Sequence, residues 1–296
     1  ESLDAVENDG RIFGLPYNLE GYGLVYNKTL FEEAGIEDLP KSLEELEEVC
    51  LLLQEEGILP FYNAHQEWWT LSMHSFNTVL GVKEDIDGYI EDIALGKTSF
   101  GDDDYLYRWL DYIRLITDYG QPDPFLTGYT AQLEAFAGGQ AAMIQQGNWI
   151  QDVILDLNPS MEMGLIPIPI EAEDNHRIPV GVPGYWCINN RSKVKEEAKE
   201  FLTWMVESDI GRKYQAEEFK FIPGYSDYNV DQYDSLSGEV VSYIQEDDIY
   251  GWYCTKMPVG FTNSLQGTIE NYLEGFISKD QMIEQMDRQL RERFSN

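Results

Sequence analysis

The spacing of apolar positions changes several times along the chain. Residues 11–31, RIFGLPYNLEGYGLVYNKTLF, alternate between apolar and polar side chains, as extended chain with two faces does. The pattern predicts a strand, a break at Pro16, a second strand and then a helix. Further on the period lengthens. Leu46, Val49, Cys50 and Leu53 recur three and four apart, which makes one apolar stripe on a helix. Ser42 and Glu45 precede it at capping-box spacing, and Gly57 ends it. A second helix carries Leu106, Trp109, Leu110, Ile113 and Ile116, opened by Asp102–Asp104 and closed by Gly120. Thr130 opens a short helix that Gly138 stops. Residues 141–145, AAMIQ, read as a short buried strand. Asn148 is placed to cap a helix carrying Ile150, Val153, Ile154 and Leu157.

The second half repeats these periods. MEMGLIPIPI, residues 161–170, is a strand ending in prolines, and GVPGYWCINN, 181–190, leads into another. Lys195–Val206 is a helix, with a break at Pro223 and Gly224. The remainder is mainly helical, with Ser278 and Gln281 spaced as a second capping box before Met282, Ile283, Met286 and Leu290. Strands alternating with helices predict an α/β protein with a mostly parallel sheet. There is no internal repeat and no low-complexity linker.

Composition narrows the chemistry. The 296 residues suffice for two compact domains or one large one. Acidic residues number 54 against 20 basic, a net charge of −34, and such a surface repels phosphate backbones and anionic lipid. Nucleic acid is therefore not an expected partner. Aromatic residues reach 13%, with 19 Tyr and 7 Trp. Rings beside acids and amides suit sugars, because a ring covers the C–H face while carboxylates and amides take the hydroxyls. The competing explanation for each ring is core packing. Cys50, Cys187 and Cys254 form no zinc pattern, and their odd number leaves at least one thiol free. His65, His74 and His176 lack metal-ligand spacing. Asp85–Gly88 and Asp102–Asp104 lack the twelve-residue calcium pattern, and Gly21 with Gly23 lacks the third glycine of a dinucleotide loop. No metal, cofactor or catalytic group is expected. Residues 1–10 have no basic start and no apolar run, so any export signal is expected to have been removed or to lie upstream.

Three blocks carry a resemblance. They are residues 10–36 with 40–61 (GRIFGLPYNLEGYGLVYNKTLFEEAGI and PKSLEELEEVCLLLQEEGILPF), 136–150 (FAGGQAAMIQQGNWI) and 183–208 (PGYWCINNRSKVKEEAKEFLTWMVES). In order and spacing the chain resembles the bacterial extracellular carbohydrate-binding proteins of ABC importers, the group that includes maltose-binding protein. The resemblance implies an α/β, two-lobed periplasmic-binding-protein-like fold whose chain crosses between lobes near Tyr17–Glu20, Gly181–Gly184 and Pro223–Tyr225. Residues 1–19 and 184–224 would form part of the first lobe, and 20–183 with 225–296 the whole of the second. In that family several βα units precede the first block, and they are expected to lie outside this chain. The implied protein is a monomeric carrier and not an enzyme. It would be extracellular, lipid-anchored at the cell surface or periplasmic, and would deliver a carbohydrate to the permease subunits of an ABC importer.

The resemblance also marks site residues. Trp149 matches the tryptophan that stacks on the sugar, and Glu20 an acidic ligand contact of the maltose-binding branch. Trp68 and Trp69 fall where the family carries an aromatic platform. At a helix start their rings diverge by about 100°, so one faces the cleft, and Trp69 is preferred. Glu67 beside them can take two hydroxyls. Tyr185 and Trp186 lie at the second crossing, where alternation sends them to opposite faces. Trp252 and Asn263 complete the candidates. Two other functions draw on the same residue types. A glycoside hydrolase needs two carboxyl groups about 5–10 Å apart. A carrier of a cationic ligand such as a polyamine would set acids against its amines and rings along its alkyl chain.

Overall fold

In the computed structural model, which describes residues 3–171, 176–225 and 233–294, the first alternating segment forms the short strands β1 (Glu7–Asn8), β2 (Arg11–Ile12) and β3 (Leu15–Pro16) and the long strand β4 (Glu20–Asn27). Helix α1 (Lys28–Glu33) follows directly, with Asn27 as its cap. Strands β5 (Met143–Gly147), β6 (Met163–Ile166), β7 (Ile178–Gly181), β8 (Tyr185–Trp186) and β9 (Ile249–Tyr250) complete the set. β4 is the centre of the main sheet. β5 runs along one edge of it, and β6 and β7 share the other, paired with Leu24–Asn27 and Glu20–Gly21 respectively.

All three of these pairings are antiparallel; among the described strands β7–β9 is the parallel pair, with isolated parallel bridges from Phe61 to Gly120 and to Met143 of β5. The expected mostly parallel sheet is therefore incorrect. Parallel neighbours arise when one helix crosses back over the sheet. Here residues 28–142 separate β4 from β5, and so long an excursion leaves the direction of return free. At β4, Gly23 permits the close pairing with β6, since a Cβ there would come within 2.1 Å of the Ile166 carbonyl oxygen.

Alternation along β4 and β5 divides the apolar residues between two cores. Leu24 and Met143 face one, Val25 and Ile144 the other. The first is built with α2 (Leu43–Glu55), α3 (Asn77–Gly81), α4 (Ile86–Ala94) and α5 (Asp104–Asp118). The second takes α6 (Tyr129–Ala137) and α7 (Gln151–Leu157). After these come α8 (Lys195–Glu207), α9 (Asp209–Lys213), α10 (Ser235–Glu246), α11 (Phe261–Leu273) and α12 (Lys279–Phe294). α10 joins the second core, and α11 and α12 the first. The stripe predicted on α5 is buried throughout, and the Trp109 indole donates to Ser75 Oγ at 3.0 Å. The Ser278–Gln281 box closes in both directions, at 2.9 and 3.2 Å. The Ser42 box closes in one, because Glu45 accepts from the Lys41 amide instead of that of Ser42.

Asn148 departs from its expected role as a helix cap. Residues 148–150 form one tight turn, and the Asn148 carboxamide oxygen accepts the Gly21 amide at 3.0 Å. The last β4–β5 register pair is Tyr22 with Gly147, so the Gly21 amide lies just beyond it. A buried amide must find an acceptor, and the side chain nearest in sequence to the strand end supplies one.

The three stretches marked as crossings lie side by side. Leu19 bridges Ile222 antiparallel, the Ile222 amide donates to Asn18 Oδ1 at 2.9 Å, and Glu20 pairs with Gly181. The Tyr225 hydroxyl donates to the Pro16 carbonyl. Among the described residues, β3 and β8 pair only with each other. Helices α8 and α9 leave Phe201, Trp204 and Ile210 exposed.

Candidate functional site

The site is built on the Glu20 end of β4. Tyr22, two residues on from Glu20, shares its face. Tyr22 is fully buried and stacks on His74, with ring centroids 4.1 Å apart and planes within 13°. His74 belongs to a π-helical turn, Thr70–Ser75, that directly follows Trp68 and Trp69. The wider turn brings the Trp69 ring to 5.0 Å from His74. Trp149 lies 5.3 Å from His74 and meets Trp69 edge-on at 6.2 Å. Its indole N–H donates to Gln146 Oε1 at 2.9 Å, and Gln146 is held in turn by Gln132. Trp252 is 5.7 Å from both Tyr22 and His74. Tyr129, at the start of α6, stands edge-on to Trp69 at 6.0 Å.

A buried stacked pair, Tyr22 and His74, thus carries three partly exposed rings, Trp69, Trp149 and Trp252, and Trp69 adds a fourth, Tyr129. The position of Trp252 depends on Gly181, where a Cβ would come within 2.5 Å of the indole. Two carboxyl groups stand among the rings. Glu67 Oε1 accepts the Tyr129 amide at 3.0 Å, at the otherwise unpaired N-terminus of α6. Glu20 Oε1 accepts from Asn18 Nδ2 at 3.1 Å. Burial pushes the Glu20 carboxyl up to about 7 against this hydrogen bond. Burial also holds His74 down at about 3, so it is neutral. Tyr129 is pushed up to about 12, by burial first and then by Glu20 and Glu67.

Glu20, Glu67, Trp69, Trp149 and Trp252 therefore come together from distant parts of the sequence. The other candidates lie apart from them. Trp68 is 39% exposed. Tyr185 is 50% exposed with its ring against Gly14, and Trp186 stacks on Tyr17 at 4.9 Å. Asn263 is exposed on α11. Tyr22, His74 and Tyr129 were not among the sequence candidates. Alternation from Glu20 points to Tyr22, but nothing in the 3.6-residue period points to His74, which the π-helical turn brings in. A hollow of about 890 Å³ opens beside the crossing segments, lined by Leu19, Gly181, Pro223, Gly224, Val241 and Trp252 among others. Trp252 is thus a wall shared by the hollow and the ring cluster. Among the described residues no group of three or more His, Cys, Asp or Glu is placed to hold a metal ion, and no helix is long and apolar enough to cross a membrane.

The family model described as bacterial extracellular solute-binding protein matches residues 2–211. The chain belongs to this family. It is 26% identical over 210 residues to the multiple sugar-binding protein of Streptococcus mutans, covering 69% of this chain and 49% of the relative. It is 27% identical over 206 residues to the diacetylchitobiose binding protein DasA of Streptomyces coelicolor, covering 66% and 45%. The chain spans about half the length of these curated relatives. Among solved structures, a chitin oligosaccharide binding protein superposes with a TM-score of 0.81 at 20% identity, over 99% of this chain and 75% of that one. RafE in complex with raffinose gives 0.77 at 22% identity, over 99% and 78%. The fold is the α/β periplasmic-binding-protein type of these neighbours.

Proposed function

We propose that the chain captures a carbohydrate in the ring-lined site and delivers it to the permease of an ABC importer, outside the cell, as a monomer and without chemical change to the ligand. The supporting observation is the convergence of Trp69, Trp149 and Trp252 with Glu20 and Glu67. Flat apolar faces beside hydroxyl-seeking acids match the two surfaces of a pyranose. The names of relatives and structural neighbours agree in kind, being those of sugar, diacetylchitobiose, chitin oligosaccharide and raffinose binders. In this reading residues 1–19 and 184–224 contribute to one lobe, and 20–183 with 225–296 form the other. The adjoining segments at 17–20, 181–184 and 223–225 would be the hinge, where a few residues absorb the backbone change of closure. The apolar residues left open on α8 and α9 suit a lobe continued by more chain.

Titration calorimetry with a panel of raffinose, chitin oligosaccharides and a polyamine tests this. At least one glycan is expected to bind near micromolar, about −8 kcal/mol. Trp149→Ala should weaken it at least about tenfold, roughly 1.4 kcal/mol, with the circular dichroism unchanged. Binding of the polyamine alone would favour the cationic carrier, and new reducing ends on incubation would favour a hydrolase. Either result overturns carbohydrate capture as stated, and so does a panel in which nothing binds.

A further inference from the structure

The charges at the rings are all of one sign. Glu20 and Glu67 are the acidic groups acting on Tyr129, and the influences on Glu20 are burial and the neutral Asn18 amide. His74 is buried and neutral, and β7 brings Gly181 opposite Glu20 with no side chain at all. Among the described residues, the cations that approach rings do so elsewhere. Lys83 lies over Tyr89 and Tyr105, and Arg114 over Tyr272. Arg177 lies over Tyr250 and donates to the Gly81 carbonyl. Lys256, at the hollow, is paired with Asp87 at 2.7 Å. An anion laid on these rings would meet two carboxylates with no countercharge among the described residues, in a setting already drier than water.

We propose that the site selects by ligand charge, taking a neutral glycan and turning away the same glycan once one of its sugars carries a carboxylate. The inference rests on carbohydrate capture and adds to it a class of ligand that is refused and the residue that refuses it. Like charges forced together at a desolvated contact are strongly unfavourable, so rejection needs no steric difference between the two ligands. Glu20 is the main source. It is the acid whose charge burial opposes, and a charge there is poorly screened. Glu67 is partly occupied by the Tyr129 amide, which spreads its charge into a helix N-terminus.

The test is a pair of titrations of the 296-residue chain, with the tightest neutral glycan of the panel and with its uronate, in which a primary hydroxyl is oxidised to a carboxylate. At about pH 8.5 the uronate is expected to bind at least about tenfold more weakly. At about pH 5.5 the gap should narrow, since Glu20 then holds a proton while the uronate stays ionised. Glu20→Gln, which keeps an acceptor for Asn18, should narrow the gap at about pH 8.5 in the same way. Should that variant fold poorly, the pH series on the unaltered chain decides. Equal affinities at about pH 8.5 would overturn charge selection and leave capture standing. A gap that responds neither to pH nor to Glu20→Gln would place the discrimination in shape and overturn the role of Glu20. Failure of both ligands to bind would remove capture and charge selection together.

Discussion

Glu20 keeps a carboxyl where its charge is costly, and that cost is measurable apart from any ligand. Its ordinary value is 4.5 and burial raises it to about 7. Across that window the folded chain holds a proton that the unfolded chain releases. The stability linked to this proton is fully present below about 4.5 and lost as pH rises through about 7. A shift of this size corresponds to about 3 kcal/mol. Glu20→Gln removes the penalty, so in urea unfolding the variant should gain on the parent by up to about 3 kcal/mol at pH 8.5 and by little near pH 4.5. A difference independent of pH would mean that the carboxyl is not desolvated. Glu20 was legible as a candidate through the resemblance, yet its raised pKa was not. That comes from burial, which the fold sets by bringing distant segments such as the β7 edge against it, and it prevails over the lowering hydrogen bond from Asn18 two residues away.

At the scale of elements, period and capping residues located several helices to within a residue or two. α2, α5 and α8 begin and end near their predicted limits, and α12 begins at its capping box, because their stripes and caps are local properties. Strand direction was not legible, since it depends on where a chain returns after more than a hundred residues. The π-helical turn at 70–75 was hidden for a related reason: a sequence pattern assumes a constant period, and here packing changes it. Asn148 shows how one residue type permits two local outcomes. Asparagine favours helix caps, but here it completes the hydrogen bonding of a strand. Asn148→Ala should leave the Gly21 amide buried without its acceptor, at a cost of about 1–3 kcal/mol in urea unfolding. Amide exchange at Gly21 should accelerate more than exchange along α7. If the amides of α7 lose protection first and Gly21 keeps its own, the side chain serves the helix after all.

Over the whole molecule the dominant fact is charge. An excess of 34 negative charges exceeds what the ion pairs can offset, and pairs such as Lys97–Asp92, Lys199–Glu196 and Lys220–Asp152 are well exposed and screened by solvent. A folded chain of this length has a radius of gyration near 19 Å. At about 0.01 M salt the screening length is about 30 Å, so acids on opposite sides repel one another; at about 0.1 M it falls to about 10 Å and only neighbours interact. Unfolding spreads the same charges over a larger volume, so the repulsion weighs mainly on the folded state. The urea midpoint should therefore rise between about 0.01 and 0.1 M sodium chloride, a range in which ordinary salting-out is still small. The rise should flatten above that range, once the screening length is shorter than the spacing of neighbouring acids. A midpoint that stays level over the first decade of salt would show that the acidic surface is spaced widely enough to carry its charge without strain. A midpoint that climbs only at molar salt would assign the effect to burial of apolar surface and not to repulsion.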